Sequence, residues 1–224
     1  MNQQQLVRNS IFIDFEGLGK TTENAAPLPH MVGEFRPNSR GKGGVYRAIF
    51  FKGEWGPAKN GVWSLAEINI FNSYFSELLI EAKSRQCLII HWSIHEKVIL
   101  EKYLPAPLFN SLEKYLHNIL PDVKRYTNRR RNRILESGEK AHSLDEYFKL
   151  WYQKRRPYPP INPGPAETCR RIDAACNSNS RWKNFSDRQQ KYVKDLIAYN
   201  RGDVECTWLL SLKVANAGFL EFNK

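Results

Sequence analysis

The hexapeptide Ile11-Phe12-Ile13-Asp14-Phe15-Glu16 constrains the chain more than any other stretch, because it sets two acids into what otherwise reads as a buried strand. Strand side chains alternate between faces, so Asp14 and Glu16 point to one side while Ile13 and Phe15 point to the other. Burying one unpaired ion costs several kcal/mol or more, and like charges ~4 Å apart repel by roughly 4 kcal/mol at an effective dielectric near 20. A cation relieves that cost. Oxygen-only ligands suit a hard divalent ion such as Mg2+ or Mn2+ rather than zinc, which prefers His and Cys. The competing account is a short edge strand with two solvated acids, and the choice depends on what the rest of the chain supplies.

The 224 residues suffice for one sizeable core, and the chain reads as a single domain over 1–224 without internal repeats. Lys plus Arg outnumber Asp plus Glu by 34 to 23, and the isoelectric point is near 9.5. That balance favours a polyanionic partner, nucleic acid before membrane, although a merely basic surface accounts for charge alone equally well. Cys87, Cys169, Cys176 and Cys206 have neither C-x-x-C spacing nor the density of a disulfide framework, so a reducing cytoplasm is expected. The start, Met1-Asn2-Gln3-Gln4-Gln5, lacks the apolar core of a signal peptide, and no apolar run approaches the ~20 residues needed to span a bilayer.

After Glu16, the stretch Gly17-Leu18-Gly19-Lys20-Thr21-Thr22 echoes a phosphate-binding loop. The full pattern requires glycine where Asp14 stands and a helix where Pro27 and Pro29 follow, so nucleotide triphosphate binding is disfavoured. His30 to Arg36 and Val45 to Lys52 read as strands joined by a hairpin loop over 37–44. Ser64-Leu65-Ala66-Glu67 has the form of a capping box, predicting an amphipathic helix to about Lys83 with Leu65, Ile68, Phe71, Phe75, Leu78 and Leu79 on its core face. A helix near Leu108 to His117 and a last strand at Pro121 to Tyr126 are expected, with Asp122 a spare acid. Residues 127–142 then read as a basic loop around Arg129-Arg130-Arg131-Asn132-Arg133, a run suited to neutralising phosphates. Ser143 opens another helix, and the proline-rich, polar stretch 156–184 reads as an irregular flap.

Two later segments bear on the acids. Cys87-Leu88-Ile89-Ile90 is a short apolar run of the kind covered on both faces, and it leads into His91-Trp92-Ser93-Ile94-His95-Glu96. Glu96 has two roles open to it. It completes a capping box with Ser93, and it also stands just past the end of a central strand, where sites gather in open α/β sheets. In the final helix, opened by Ser186-Asp187-Arg188-Gln189, Leu196, Tyr199, Asp203, Cys206 and Leu210 recur at spacings of three and four, which sets Asp203 among buried residues.

Taken in order, Phe12-Ile13-Asp14-Phe15-Glu16, His91-Trp92-Ser93-Ile94-His95-Glu96 and Tyr199-Asn200-Arg201-Gly202-Asp203 resemble the D-x-E, H-x-x-x-x-E and Y-x-x-x-D motifs of the ribonuclease H-like nucleases of the DEDD superfamily, the 3′ to 5′ exonuclease group. The match is to the prokaryotic branch whose second motif ends in Glu, where most of the superfamily has Asp. The resemblance implies an α/β ribonuclease H-like fold with a central mixed five-stranded sheet flanked by helices. It implies Asp14, Glu16, Glu96 and Asp203 as ligands of two Mg2+ or Mn2+ ions, Tyr199 as the group orienting the attacking water, and phosphodiester hydrolysis of DNA or RNA. Arg129, Arg130, Arg131, Arg133, Arg155 and Arg156 are then expected on backbone phosphates. The alternative function is a nucleic-acid-binding or scaffold module of the same fold without catalysis.

Overall fold

A computed structural model of the chain describes residues 2–19, 24–38, 42–51, 55, 64–65, 70–134, 141–153, 161–178 and 182–221. Its centre is a mixed sheet in the order β4-β3-β2-β1-β5-β6. The hexapeptide is β1 (Ile11–Glu16). It pairs antiparallel with β2 (Met31–Pro37) and parallel with β5 (Ile89–His91). β3 (Gly44–Phe50) continues the antiparallel side, and β6 (Leu116–Asn118) the parallel side. These five strands of three or more residues form the expected mixed sheet. The two-residue β4 (Ser64–Leu65) adds a parallel edge beside Ile49 and Phe50.

The alternation in β1 decides what covers each face. Ile11 and Ile13, with Phe15 behind them, pack against α2 (Ile70–Arg85), α3 (Ile94–Tyr103) and α4 (Ala106–Leu112). Phe12 faces the other way, into a cluster with α1 (Gln3–Asn9), α5 (Leu120–Ile134), α6 (Leu144–Tyr152) and α8 (Asp187–Asn216). A third cluster joins Met31, Ala48 and Phe50 to α7 (Pro165–Ser178) and the first half of α8. The sheet is thus covered on both faces, as an apolar β5 requires.

Where the signals are local, the elements fall where the sequence puts them. The capping boxes at Ser93, Ser143 and Ser186 each open a helix. Elsewhere the structure corrects the reading. Ser64 does not cap α2: its backbone belongs to β4, and the helix starts at Ile70 and runs to Arg85. Pro121 to Tyr126 is not the last strand, and 127–134 is not loop, because both belong to α5. Pro121 falls in the first turn, where a missing N–H costs nothing. The Asn118 side chain accepts the Leu120 N–H at 3.1 Å, and Ile119, Val123 and Tyr126 are buried at helical spacing. The last strand is instead the brief β6, and α4 stops at Leu112 well short of His117. Within 156–184, residues 165–178 form α7, which starts at Pro165 and buries Thr168, Cys169, Ile172, Ala175 and Cys176.

Candidate metal centre

The topology brings the two acidic segments to one edge. Because β1 and β5 are parallel, their carboxyl ends lie at the same edge of the sheet, the position where ligands collect in open α/β sheets. α8 crosses the same region from outside, packing on both β1 and β2. Asp14, Glu16 and Asp203 each offer an oxygen within 4.8 Å of the others. Glu16 is 5 % and Asp203 9 % exposed, so this repulsion is poorly screened by water. An arrangement of three converging carboxylates fits a hard divalent cation with oxygen ligands and offers zinc none of its preferred donors.

A residue outside the three motif acids organises the cluster. Asn200 is fully buried, and its amide nitrogen donates to Asp14 Oδ2 at 2.8 Å, to the Asp14 carbonyl at 3.2 Å and to Glu16 Oε1 at 3.3 Å. Its oxygen accepts from the Tyr46 hydroxyl at 3.0 Å. Burial, then the charges of Glu16 and Asp14, pushes the Tyr46 phenol well above its ordinary value, so the hydroxyl stays a donor. Gly33, opposite Asp14 in β2, makes room for this clamp: a Cβ there would stand 1.5 Å from the Asn200 oxygen. Neither Asn200 nor Tyr46 stands out in the sequence. The available signal is Gly33 in the middle of a strand, which commonly marks a close approach by another group.

Glu96 takes the capping role. Its Oε2 accepts from the Ser93 backbone N–H at 3.2 Å and the Ser93 hydroxyl at 2.9 Å, and lies 3.6 Å from His91 Nδ1. His91 Nδ1 is also 2.6 Å from the Ser93 carbonyl, which closes the turn. Burial works to raise the Glu96 carboxyl, but His91 and the bonds at the cap outweigh it and hold the group below its ordinary value. Its oxygens are not among those that meet within 4.8 Å. Tyr199 is half-buried one turn of α8 before Asp203.

Other buried acids have partners of their own. Glu34 is engaged by Arg36 at 2.7 and 3.1 Å and by the Tyr74 hydroxyl at 2.8 Å. The spare acid Asp122 pairs with His117 at 2.8 Å and Arg125 at 3.3 Å. A cavity of about 130 Å³ opens beside Glu16, walled by Pro27 and Pro29, by His95 and Ile99 of α3, and by the start of α7. Of the three clustered acids, Glu16 is the one that lines it.

Arg129 and Arg130 are exposed on α5, over the rings of Phe219 and Tyr126 respectively. Arg131 and Arg133 lie on the same helix, with side chains outside the described residues, as are Arg155 and Arg156 entirely. The Gly17 to Thr22 stretch is described only as far as Gly19. Among the described residues, no helix is long and apolar enough to cross a membrane. Comparison with protein-family models, with curated proteins and with solved structures gives no match to this chain.

Proposed function

We propose that this protein is a cation-dependent phosphodiesterase acting on nucleic acid, of ribonuclease H-like type and working from a free 3′ end. The observation that carries the reading is the meeting of Asp14, Glu16 and Asp203 within 4.8 Å at the carboxyl edge of the central sheet, beside an open cavity. Asp14, Glu16 and Asp203 would hold Mg2+ or Mn2+. Bound there, such an ion lowers the pKa of an attacking water and offsets charge on the leaving oxygen. The chain's own residues do the positioning. Asn200 fixes the carboxylates of Asp14 and Glu16 in one geometry, Tyr46 fixes Asn200, and the proline-walled cavity gives access to Glu16. Tyr199, on the helix turn before Asp203, is the group assigned to orient the attacking water. Glu96, engaged in the cap of α3, favours a site that needs only three carboxylates for its first ion. A second ion would require Glu96 to leave that cap.

The test is a panel of single- and double-stranded DNA and RNA, end-labelled linear and covalently circular, with Mg2+, Mn2+ or EDTA. The proposal expects cation-dependent shortening of linear substrates from the 3′ end and intact circles. Cleavage of circles overturns the exonuclease assignment. The complete absence of cation-dependent cleavage favours a binding or scaffold module.

A further inference from the structure

A second feature of the described surface has no part in the acid cluster. An open groove of about 420 Å³ runs between α5, α6 and the last turns of α8, lined by Tyr126, Arg130, Tyr152, Leu212, Lys213 and Asn216 among others. Two cations face it, and among the described residues neither pairs with a carboxylate. Arg130 lies over the Tyr126 ring at 5.0 Å, while Lys213 lies over Trp151 and Tyr152 at 5.4 and 4.9 Å and donates to the Trp151 carbonyl at 2.9 Å. Arg125, five residues earlier on α5, shows the contrast, since Asp122 and Glu221 compensate its charge. Aromatic faces and a carbonyl orient a cation without cancelling it, so Arg130 and Lys213 keep their charge available to an anion.

The lining also says which part of a nucleic acid fits. Tyr126 is 4 % exposed, covered by Arg130 and packed against Trp151 at 4.4 Å between ring centres, so it is a wall rather than a stacking platform. The second tyrosine, Tyr152, stacks on Phe148, and burial pushes its phenol up to about 12, so it adds no negative charge. What remains for a ligand is two cationic heads and the Asn216 amide, a set that recognises phosphate oxygens and ignores base identity. Lys213 lies nearly three turns beyond Asp203 on the same helix, or about 15 Å at 1.5 Å per residue. That distance is roughly four stacked nucleotides at ~3.4 Å each.

We propose that this groove is a phosphate anchor for the backbone of a nucleic-acid strand whose end sits at the acid cluster, so that substrates of about five nucleotides or more engage both places. The anchor deepens the nuclease reading and rests on it for the identity of its ligand. Its test separates the two. Labelled oligothymidylates of two to twelve nucleotides are titrated by fluorescence anisotropy in Ca2+, a hard cation that oxygen ligands hold, so that the acids are neutralised before Mn2+ is supplied, against the wild type, Arg130→Glu and Lys213→Gln. Arg130 is exposed, and the glutamine amide keeps a donor for the Trp151 carbonyl, so both variants are expected to fold. The anchor predicts that affinity climbs between about three and six nucleotides, and that either variant weakens the twelve-mer by about tenfold. Each should also flatten the salt dependence by about 0.7 in log–log slope. Wild-type affinity and slope in both variants overturn the proposal, as does displacement of the twelve-mer by a hexaglutamate peptide, which would mark the groove as a site for an acidic protein. Adding Mn2+ to the same mixtures tests the nuclease reading separately, because absent cleavage at every length refutes it and leaves the anchor standing.

Discussion

At the scale of the residue, the acid cluster depends on a neutral amide. Asn200 donates to two carboxylates at once and is held from behind by Tyr46, so removing it takes away a donor that Asp14 and Glu16 share and that offsets their repulsion. Asn200→Ala is therefore expected to weaken Mn2+ binding by about 10- to 100-fold, the usual effect of losing a group that orients metal ligands. Wild-type affinity in that variant would show that the carboxylates hold themselves. Gly33→Ala reaches the same clamp from the sheet. The added methyl would stand 1.5 Å from the Asn200 oxygen, and moving the amide away breaks its bonds to Tyr46, Asp14 and Glu16, so a loss of about 1–3 kcal/mol in urea unfolding is expected. The acids themselves were legible from the sequence because charge inside an apolar strand or stripe is conspicuous. Asn200 was not, because one asparagine in a polar stretch of helix carries no pattern until Gly33 is known to face it.

At the scale of the element, α3 shows how one carboxylate can answer to two explanations. Glu96 caps the helix, and glutamine satisfies the same bonds, so Glu96→Gln should melt close to wild type at neutral pH while Glu96→Ala loses about 1 kcal/mol. The pH dependence has a definite sign. A folded-state value held below the ordinary one, about 4.3, contributes stability that is present above that value and is lost as pH falls through the folded one. Thermal melts from pH 7 to pH 3 should accordingly fall less steeply for Glu96→Gln than for the wild type. Parallel curves would detach the carboxylate's charge from the cap. The elements that were legible are those with local signals, namely the boxes at Ser93, Ser143 and Ser186 and the alternation in β1. β6 was not, because three residues define a strand only through pairing with β5, a partner remote in sequence. α5 was obscured because Pro121 to Tyr126 reads as a strand, although Pro121 sits in a first helical turn, and α7 because its stretch is proline-rich, although the helical spacing of Ile172, Ala175 and Cys176 outweighs Pro165.

At the scale of the molecule, the packing of one long helix, α8, on β1 and β2 brings Asp14 and Glu16 near the start of the chain within 4.8 Å of Asp203 near its end. The acids needed only the strand and helix periods to be located, whereas their meeting depends on the sheet order, which no local pattern contains. The chain as a whole carries an excess of positive charge, 34 basic against 23 acidic residues, which suits a polyanionic partner. The central claim is that Asp14, Glu16 and Asp203 share one divalent cation. It is tested most directly by calorimetric titration of Mn2+ into the wild type, Asp203→Asn and Glu96→Gln, each checked for native circular dichroism. The account predicts saturable binding by the wild type, little change in Glu96→Gln and a loss of at least about tenfold in Asp203→Asn. Binding by Asp203→Asn as tight as the wild type's would contradict it.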